Sequence, residues 1–445
     1  MAASGKPNII YIHSHDTGRY IQPYGHAVPT PRLQAFAEQG VLFRQNFCTN
    51  PTCSPSRASL VTGTYPHENG MIGLAHRGFR LNDYGQHIIH TLHEAGYVSA
   101  LAGTQHIAHA TGGKQPWEII GYNRRLGDNH DGRDGAIEFL KSPPKEPFFL
   151  AVGFGLTHRG FPPIEDAPDD PRYCLPPPPL PDTPETRQDM TRFKASARRL
   201  DGRMGDVFDA LDHGGLAENT LVICTTDHGI AFPRMKCNLH DTGTGTMLMI
   251  RMPGVFDGGK VVDGMTSHLD IFPTICELGG IEAPPRLRGR SLLPFVRDGV
   301  EQVHEELFSE VNYHAAYEPQ RAVRTKRWKY IRRFDGRDRP VLANCDAGES
   351  KSLWLESGWR DRRVDEEALY DLCFDPNEAN NLVGDESAAD VLTDMRGRLE
   401  RWMKQTDDPL LSGPVPAPEG AKVNDPDDVS PRYTGRPQAR HERRN

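Results

Sequence analysis

The stretch with the most chemically active side chains runs from Cys53 to Gly63 and reads Cys-Ser-Pro-Ser-Arg-Ala-Ser-Leu-Val-Thr-Gly. A Cys-x-Pro triplet alone is weak evidence for a functional motif. Eight cysteines and 37 prolines in 445 residues give about 0.7 such triplets by chance. In a helix, Arg57 lies one turn after Cys53 on the same face. Its guanidinium fork can hold both a nucleophile and an anion. The spacing therefore predicts that the Arg57 guanidinium lies beside the Cys53 side chain.

Histidine and aspartate side chains follow four short apolar runs, which we predict to be buried strands. These runs are Asn8–Ile12, Val98–Leu101, Phe148–Gly153 and Leu221–Thr225. The polar residues that follow them are His15, Asp16, His106, His158, Asp227 and His228. Ligands of parallel α/β sheets bind at the carboxyl ends of the strands. The pattern therefore predicts a polar site at one edge of the sheet.

Helical stretches separate these strands, at Pro31–Gln39, Gln86–Ala95, Gly135–Leu140 and Asp189–Asp212. This alternation predicts an α/β fold with a doubly wound, mostly parallel sheet. After residue 300 the runs become shorter, at Glu306–Tyr313, Arg321–Arg333 and Ala368–Asp371, and a helix is predicted at Ser387–Met403. We predict a catalytic α/β domain over residues 1–300, a smaller C-terminal antiparallel α+β domain over 301–406, and an extended or disordered tail over 407–445.

The basic residues of Arg321–Arg333 alternate with apolar ones. This pattern predicts one antiparallel strand with a solvated face. An anion-steering surface is the alternative interpretation.

Composition excludes several classes of partner. The chain has 52 Lys and Arg against 60 Asp and Glu, a net charge of −8, which argues against nucleic acid or an anionic membrane as partners. No apolar run approaches the roughly 18 residues that a membrane helix needs. The N-terminal stretch lacks the apolar region of a signal peptide, which predicts a cytoplasmic location. Eight cysteines do not form a disulfide framework, and we expect reduced thiols.

The full stretch, with Ser56, Arg57, Leu60, Thr62 and Gly63 at fixed offsets from Cys53, resembles the signature of the formylglycine-dependent sulfatases of the alkaline phosphatase superfamily. The resemblance runs over roughly residues 7–410 and is greatest to the heparan N-sulfatases, or sulfamidases. The stretches that carry it are His67–Leu74, Thr226–Pro233, Gly289–Pro294 and Leu369–Pro376. It implies an alkaline-phosphatase-like α/β domain with a small C-terminal antiparallel domain.

The resemblance also implies an activity. A formylglycine-generating enzyme would oxidise Cys53 to an aldehyde, whose hydrate would attack sulfur and split the hydrolysis into two easier steps. A divalent metal would lower the pKa of the hydrate and neutralise the sulfate oxygens. The chain is thus expected to be a metal-dependent sulfatase that cleaves sulfate ester or sulfamate bonds of a small anionic substrate.

The same resemblance assigns the site residues. It implies metal ligands at His15, Asp16, Cys53, Asp227 and His228. It implies catalytic roles for Cys53, Arg57, His106 as a base, His158 as an acid and Lys236 as a sulfate contact. Substrate contacts are expected from Thr104, His67, Asn69 and His240.

Three of these positions depart from the family pattern. His15 and His228 stand where the family has Asp and Asn, which makes the metal site softer and favours Mn²⁺ over Ca²⁺. Both ions stay open at this point. Thr104 replaces a lysine, and so a sulfate-binding cation is missing.

Two alternatives remain from the sequence. The departures at His15, Thr104 and His228 also resemble phosphonate monoester hydrolases, so the same nucleophile and metal could serve a phosphonate or phosphate monoester. An alternative of another class is an inactive anion-binding relative with unmodified Cys53. The long C-terminal tail is compatible with a homo-oligomer.

Overall fold

A computed structural model describes residues 5–127 and 130–433. Its larger sheet has nine strands, of which eight follow the order β4-β3-β5-β1-β6-β8-β2-β7 while β9 pairs with β2. Their bounds are β1 Asn8–Ser14, β2 Val41–Phe47, β3 Val98–Gly103, β4 Arg124–Leu126, β5 Phe148–Gly153, β6 Thr220–Thr226, β7 Gly245–Thr246, β8 Leu248–Arg251 and β9 Lys260–Ser267.

The four strands expected from the sequence are neighbours in this sheet. Strands β3, β5, β1 and β6 lie side by side and parallel, with Ile9 paired to both Phe149 and Leu221. Strands β8 and β7 run antiparallel to their neighbours. The prediction of a doubly wound, mostly parallel sheet is confirmed.

Helices cover both faces of the sheet, and the strands are apolar on both faces as a parallel sheet requires. The helices are α1 Pro31–Gln39, α2 Cys53–Thr62, α3 Pro66–Asn69, α4 Ile88–Glu94, α5 Pro116–Ile120, α6 Arg133–Lys141, α7 Pro184–His213, α8 Asp241–Thr244, α9 Ile271–Gly279, α10 Leu293–Arg297, α11 Glu349–Glu356 and α12 Ala389–Gln405. Ile10 and Ile12 of β1 share a core with α1, α6 and α7. Ile9 and Tyr11 share the other core with α2, α4 and α9.

The smaller sheet is antiparallel, in the order β10-β11-β12-β13. Its strands are β10 Glu306–Tyr313, β11 Tyr317–Thr325, β12 Trp328–Arg333 and β13 Glu367–Asp371. Leu392, Met395 and Leu399 of α12 pack into the core that includes Val323 and Tyr330 of this sheet. The expectation of a C-terminal antiparallel unit with a closing helix is confirmed.

The prediction of one strand over Arg321–Arg333 is wrong. This run belongs to two strands, β11 and β12, which pair with each other in antiparallel register and are joined by a turn between Thr325 and Trp328. Its cations do not share one solvated face, because the side chains of Arg321, Arg324, Lys329 and Arg333 are buried against carboxylates, whereas those of Lys326, Arg327 and Arg332 are exposed. The four buried cations are paired with carboxylates and do not form an anion-steering surface.

The chain after α12 packs on the body of the protein. Leu410, Val415 and Val423 are buried, and the Arg77 guanidinium donates hydrogen bonds to the carbonyl of Lys422 and to Asn424 Oδ1. Residues 434–445 of the expected tail lie outside the described residues, and the domain boundaries at 300 and 406 stay predictions. None of the helices in the described part of the chain has the length and apolar character that crossing a bilayer requires.

The Arg321 side chain is fully buried, and its guanidinium donates to both carboxylate oxygens of Asp408, at 2.5 and 2.9 Å. We expect Asp408→Asn to lower the free energy of unfolding by about 3–5 kcal/mol, because it removes the charge of the carboxylate that is hydrogen-bonded to a buried cation. The control Glu400→Gln breaks an exposed pair with Lys404 and should cost about 0.3–0.5 kcal/mol. Urea denaturation measures both, and equal losses would contradict the structural role of the buried pair.

Candidate active site

The loops that follow three neighbouring strands are joined at the carboxyl edge of the larger sheet. After β1, the backbone N–H of His15 donates to the Leu156 carbonyl beyond β5 at 2.8 Å, and the Thr157 N–H donates back to the His15 carbonyl at 2.6 Å. The Asp16 N–H donates to Oδ1 of Asp227, beyond β6, at 2.8 Å. Because β1 lies between β5 and β6, these bonds bring together polar residues that are far apart in sequence.

Helix α2 starts at Cys53 and all ten of its residues are buried. Its first turn is held at the sheet edge by Ser56, whose hydroxyl donates to the Asp227 carbonyl at 2.5 Å. The Cys53 Sγ lies 3.4 Å from His228 Nε2 and 4.0 Å from Asp16 Oδ1. Burial raises the pKa of the Cys53 thiol well above its ordinary value, although Lys236 opposes the shift. The proposed nucleophile position is thus placed among the predicted metal ligands.

Arg57 lies one turn further along α2 and hydrogen-bonds to residues of the cluster. Its Nη2 donates to Asp227 Oδ2 at 3.0 Å and to the Ser14 carbonyl at 2.7 Å, while its Nη1 contacts Nδ1 of His13. Burial would raise the pKa of the Asp227 carboxyl, but His228, Arg57 and His15 hold it well below its usual range. Asp227 is therefore an anion although it is buried.

Lys236 is the second buried cation of the site. Its Nζ donates to Asp16 Oδ2 at 3.0 Å and to Asp346 Oδ2 at 2.8 Å. Burial would lower the pKa of the Lys236 ammonium, yet Asp16 and Asp346 raise it well above its ordinary value. The same ammonium lowers the pKa of the Asp16 carboxyl, against the effect of burial.

A cleft of about 930 Å³ opens beside this cluster, and its lining includes His15, His76, Thr104, His106 and His158. Nε2 of His106 lies 3.2 Å from Nδ1 of His76, and the two rings stack with their centroids 5.4 Å apart. Burial and the neighbouring His15 place the pKa of His106 well below its usual value, so its imidazole is neutral. The His158 side chain is 44 % exposed, and its Nε2 lies 4.0 Å from Asp16 Oδ2.

The donor atoms in this cluster suit a metal ion. One ligand atom each from His15, Asp16, Cys53 and Asp227 lies within 4.8 Å of the others. Within the part of the chain that the structure describes, the buried Nδ1 of His15 makes no hydrogen bond, although it lies 3.1 Å from Asp227 Oδ2. Burial and Arg57 lower the pKa of His15 to about 4, which leaves a neutral ring with a free lone pair. A set of two carboxylates and an imidazole fits a transition metal at least as well as Ca²⁺.

Three residues expected to contact substrate lie elsewhere. The His67 side chain is 1 % exposed and pairs with Glu310 of β10. Asn69 is buried at the end of α3 and donates to Thr62 Oγ1, at the end of α2, at 3.2 Å and to the Thr64 carbonyl at 3.3 Å. The His240 ring packs against Tyr370 of β13. None of the three side chains lines the cleft, and their substrate contacts stay predictions.

Thr104 does line the cleft, where its hydroxyl donates to the His130 carbonyl at 3.1 Å.

His13 and Asp346 belong to the site but were not among the predicted residues. His13 lies near the end of an apolar strand, just before the predicted His15 and Asp16, and this position was the signal available in the sequence. Asp346 lies in a loop with no motif around it. Lys351 holds that loop, because its Nζ donates to the carbonyls of Leu342 and Cys345 at 2.8 and 2.5 Å.

Comparison with known proteins identifies the family of the chain. The family model described as Sulfatase matches residues 7–281, and the model described as N-sulphoglucosamine sulphohydrolase, C-terminal matches residues 232–353. Human N-sulphoglucosamine sulphohydrolase is 28 % identical over 92 % of this chain and 92 % of its own. An ulvan-active sulfatase from Formosa agariphila is 27 % identical over 97 % of this chain and 87 % of its own.

A solved structure of a protein in complex with its substrate D-glucosamine-2-N,6-O-disulfate has a TM-score of 0.70 at 18 % identity. It covers 91 % of this chain and 98 % of that one, and this likeness shows the fold.

The donor set predicts which carboxylate a metal needs. We expect Asp16→Asn to weaken Mn²⁺ binding by about 100-fold or more, because it removes a charged ligand atom from the cluster. Asp346→Asn is the matched comparison, since Asp346 also contacts Lys236 but belongs to another possible donor set, with Asp16 and His158, and it should cost about tenfold or less. Isothermal titration calorimetry measures both affinities, and an equal loss in the two variants would contradict a metal held by His15, Asp16, Cys53 and Asp227 alone.

Proposed function

This chain belongs to the sulfatase family, and from that premise we propose that it hydrolyses sulfate ester or sulfamate bonds of a small substrate, with a formylglycine made from Cys53 and one divalent metal ion. One observation carries the proposal. Cys53 begins a buried helix with its Sγ among two carboxylates and two imidazoles, and that cluster borders an open cleft. The aldehyde hydrate, once formed, would supply an oxygen nucleophile, and the metal would lower its pKa and neutralise the anion.

Two buried cations are placed to hold an anion next to residue 53. The Arg57 guanidinium is fixed by Ser14 and Asp227, and the Lys236 ammonium is fixed by Asp16 and Asp346. Cations that are already oriented stabilise developing negative charge without reorganising during the reaction. Lys236 therefore offsets in part the missing lysine at position 104.

His106 and His158 have different roles in proton transfer. His106 is neutral and half-buried at the cleft, which suits a base that removes a proton from the group at residue 53. His158 is half-exposed at the cleft, which suits an acid that protonates the departing oxygen or nitrogen of the substrate. His76 contacts His106 and so orients its ring.

The metal would be held by His15, Asp16, Asp227 and His228 together with residue 53. Nε2 of His228 lies 3.3 Å from Asp16 Oδ1, so its imidazole adjoins the carboxylate ligands. Imidazoles in place of oxygen donors support Mn²⁺ ahead of Ca²⁺.

Sulfamate is the first substrate class to test. The match of residues 232–353 to the C-terminal model of N-sulphoglucosamine sulphohydrolase supports it. The phosphonate or phosphate alternative is not favoured, because relatives across the chain's length include a sulfamidase and sulfatases. A formylglycine-generating enzyme as maturation partner, a homo-oligomer and a cytoplasmic location remain proposals.

The function is tested on protein made with and without a formylglycine-generating enzyme. In protein made with that enzyme, the tryptic peptide from Gln45 to Arg57 should be lighter than its cysteine form and should react with hydrazides. The converted protein should cleave N-sulfoglucosamine and aryl sulfate, whereas an aryl phosphonate should turn over far more slowly.

Cys53→Ala is the control and should be inactive. A fully converted protein that prefers the phosphonate would overturn the sulfatase assignment. An unconverted Cys53 beside a converted control sulfatase from the same cells would overturn the nucleophile.

The acid role of His158 predicts a dependence on the leaving group. His158→Ala should lower kcat by about 10²–10⁴-fold for N-sulfoglucosamine, whose amine needs a proton to depart, but much less for an aryl sulfate with an acidic phenol. His109→Ala is the matched control, since His109 also lines the cleft, and it should change both rates little. Equal losses on the two substrates would show that His158 is not the acid.

A further inference from the structure

Cys53 belongs to a second set of donor atoms, which the proposed reaction does not use as a group. One ligand atom each from His15, Cys53 and His106 lies within 4.8 Å of the other two. The rings of His15 and His106 are tilted toward each other, with their centroids 5.2 Å apart. These three residues, which we term the thiol site, come from the ends of β1 and β3 and from the start of α2.

The thiol site includes a buried ring nitrogen without a protein partner. Over residues 5–127 and 130–433, the buried Nδ1 of His106 makes no hydrogen bond, and that of His15 makes none although it lies 3.1 Å from Asp227 Oδ2. Buried polar atoms are nearly always satisfied, so the Nδ1 of His106 indicates that something else binds there. A fourth donor is near, because His228 Nε2 lies 3.4 Å from the Cys53 Sγ.

We propose that the chain, before Cys53 is converted, binds a thiophilic divalent ion such as Zn²⁺ through Cys53, His15 and His106. One thiolate with two or three imidazoles is a soft set that Zn²⁺ prefers and Ca²⁺ does not. Bonds of about 2.0–2.3 Å around a tetrahedral ion require a small contraction of the separations seen here. On binding, an S–Zn bond replaces the S–H bond, and the proton passes to the buffer.

Conversion of Cys53 would then change the metal that the protein holds. The thiol site depends on sulfur and on His106, whereas the catalytic donor set adds the hard oxygens of Asp16 and Asp227. Both sets share His15 and residue 53, so they cannot be filled together. Oxidation of the thiol removes the soft ligand and leaves the oxygen-rich set. Zinc on the unconverted chain would also mask the thiol.

The experiment uses the full chain expressed without a formylglycine-generating enzyme and titrated with Co²⁺, which reports a thiolate ligand by its charge-transfer absorption. We expect one Co²⁺ per chain with this absorption, displaced by Zn²⁺ but not by a large excess of Ca²⁺. Cys53→Ala should abolish the band, and His106→Ala should weaken binding by about tenfold or more. Cys373→Ala, which removes an exposed thiol, is the matched control and should keep the band.

Circular dichroism verifies that each variant is folded, and a second measurement does not rely on variants. The converted wild-type chain should lack the band while it still binds Mn²⁺. Cobalt binding without a thiolate band, or with full affinity in folded His106→Ala, would overturn the thiol site. Turnover by the converted chain tests the proposed function separately, so either idea can fail without the other.

Discussion

The carboxylate of Asp227 accepts hydrogen bonds from the adjacent residue and from two parts of the chain that are distant in sequence. The N–H groups of Asp16 and His228 donate to its Oδ1 at 2.8 and 3.0 Å, and the Arg57 guanidinium donates to its Oδ2 at 3.0 Å. A buried carboxylate is tolerated only when such partners replace the water that it has lost. This constraint joins the ends of β1 and β6 to helix α2, and it sets where residue 53 lies.

Each buried cation near residue 53 forms its own ion pairs. Arg57 pairs with Asp227, and Lys236 pairs with both Asp16 and Asp346. Each carboxylate can therefore stay ionised in a buried position, where a metal can use its oxygens. The chemical identity of residue 53 then decides the character of the whole cluster, because sulfur favours a soft ion and oxygen a harder one.

Some elements were predictable because their signals are local. Helix α1 has the expected bounds Pro31–Gln39, since Pro31 suits the first helical position and Gly40 follows the last. The hairpin of β11 and β12 is not recognisable from the sequence, because its turn, at Lys326 and Arg327, has none of the usual turn residues. Basic and apolar residues also alternate on both sides of that turn. The pairing of His67 with Glu310 was not predictable, because the two residues are 243 apart in sequence.

The sequence by itself determined the parallel sheet and the polar residues at the strand ends, because the alternation of apolar strands and helices is a local property of the chain. Only the tertiary structure decided which of those polar side chains share a site. It brought Asp346 to Lys236, His13 to Arg57 and His76 to His106, and it buried Arg321 and Arg324 against carboxylates. The physical reason is that a buried charge needs a partner of opposite charge or a hydrogen bond, and such partners come from whichever segments the fold places alongside.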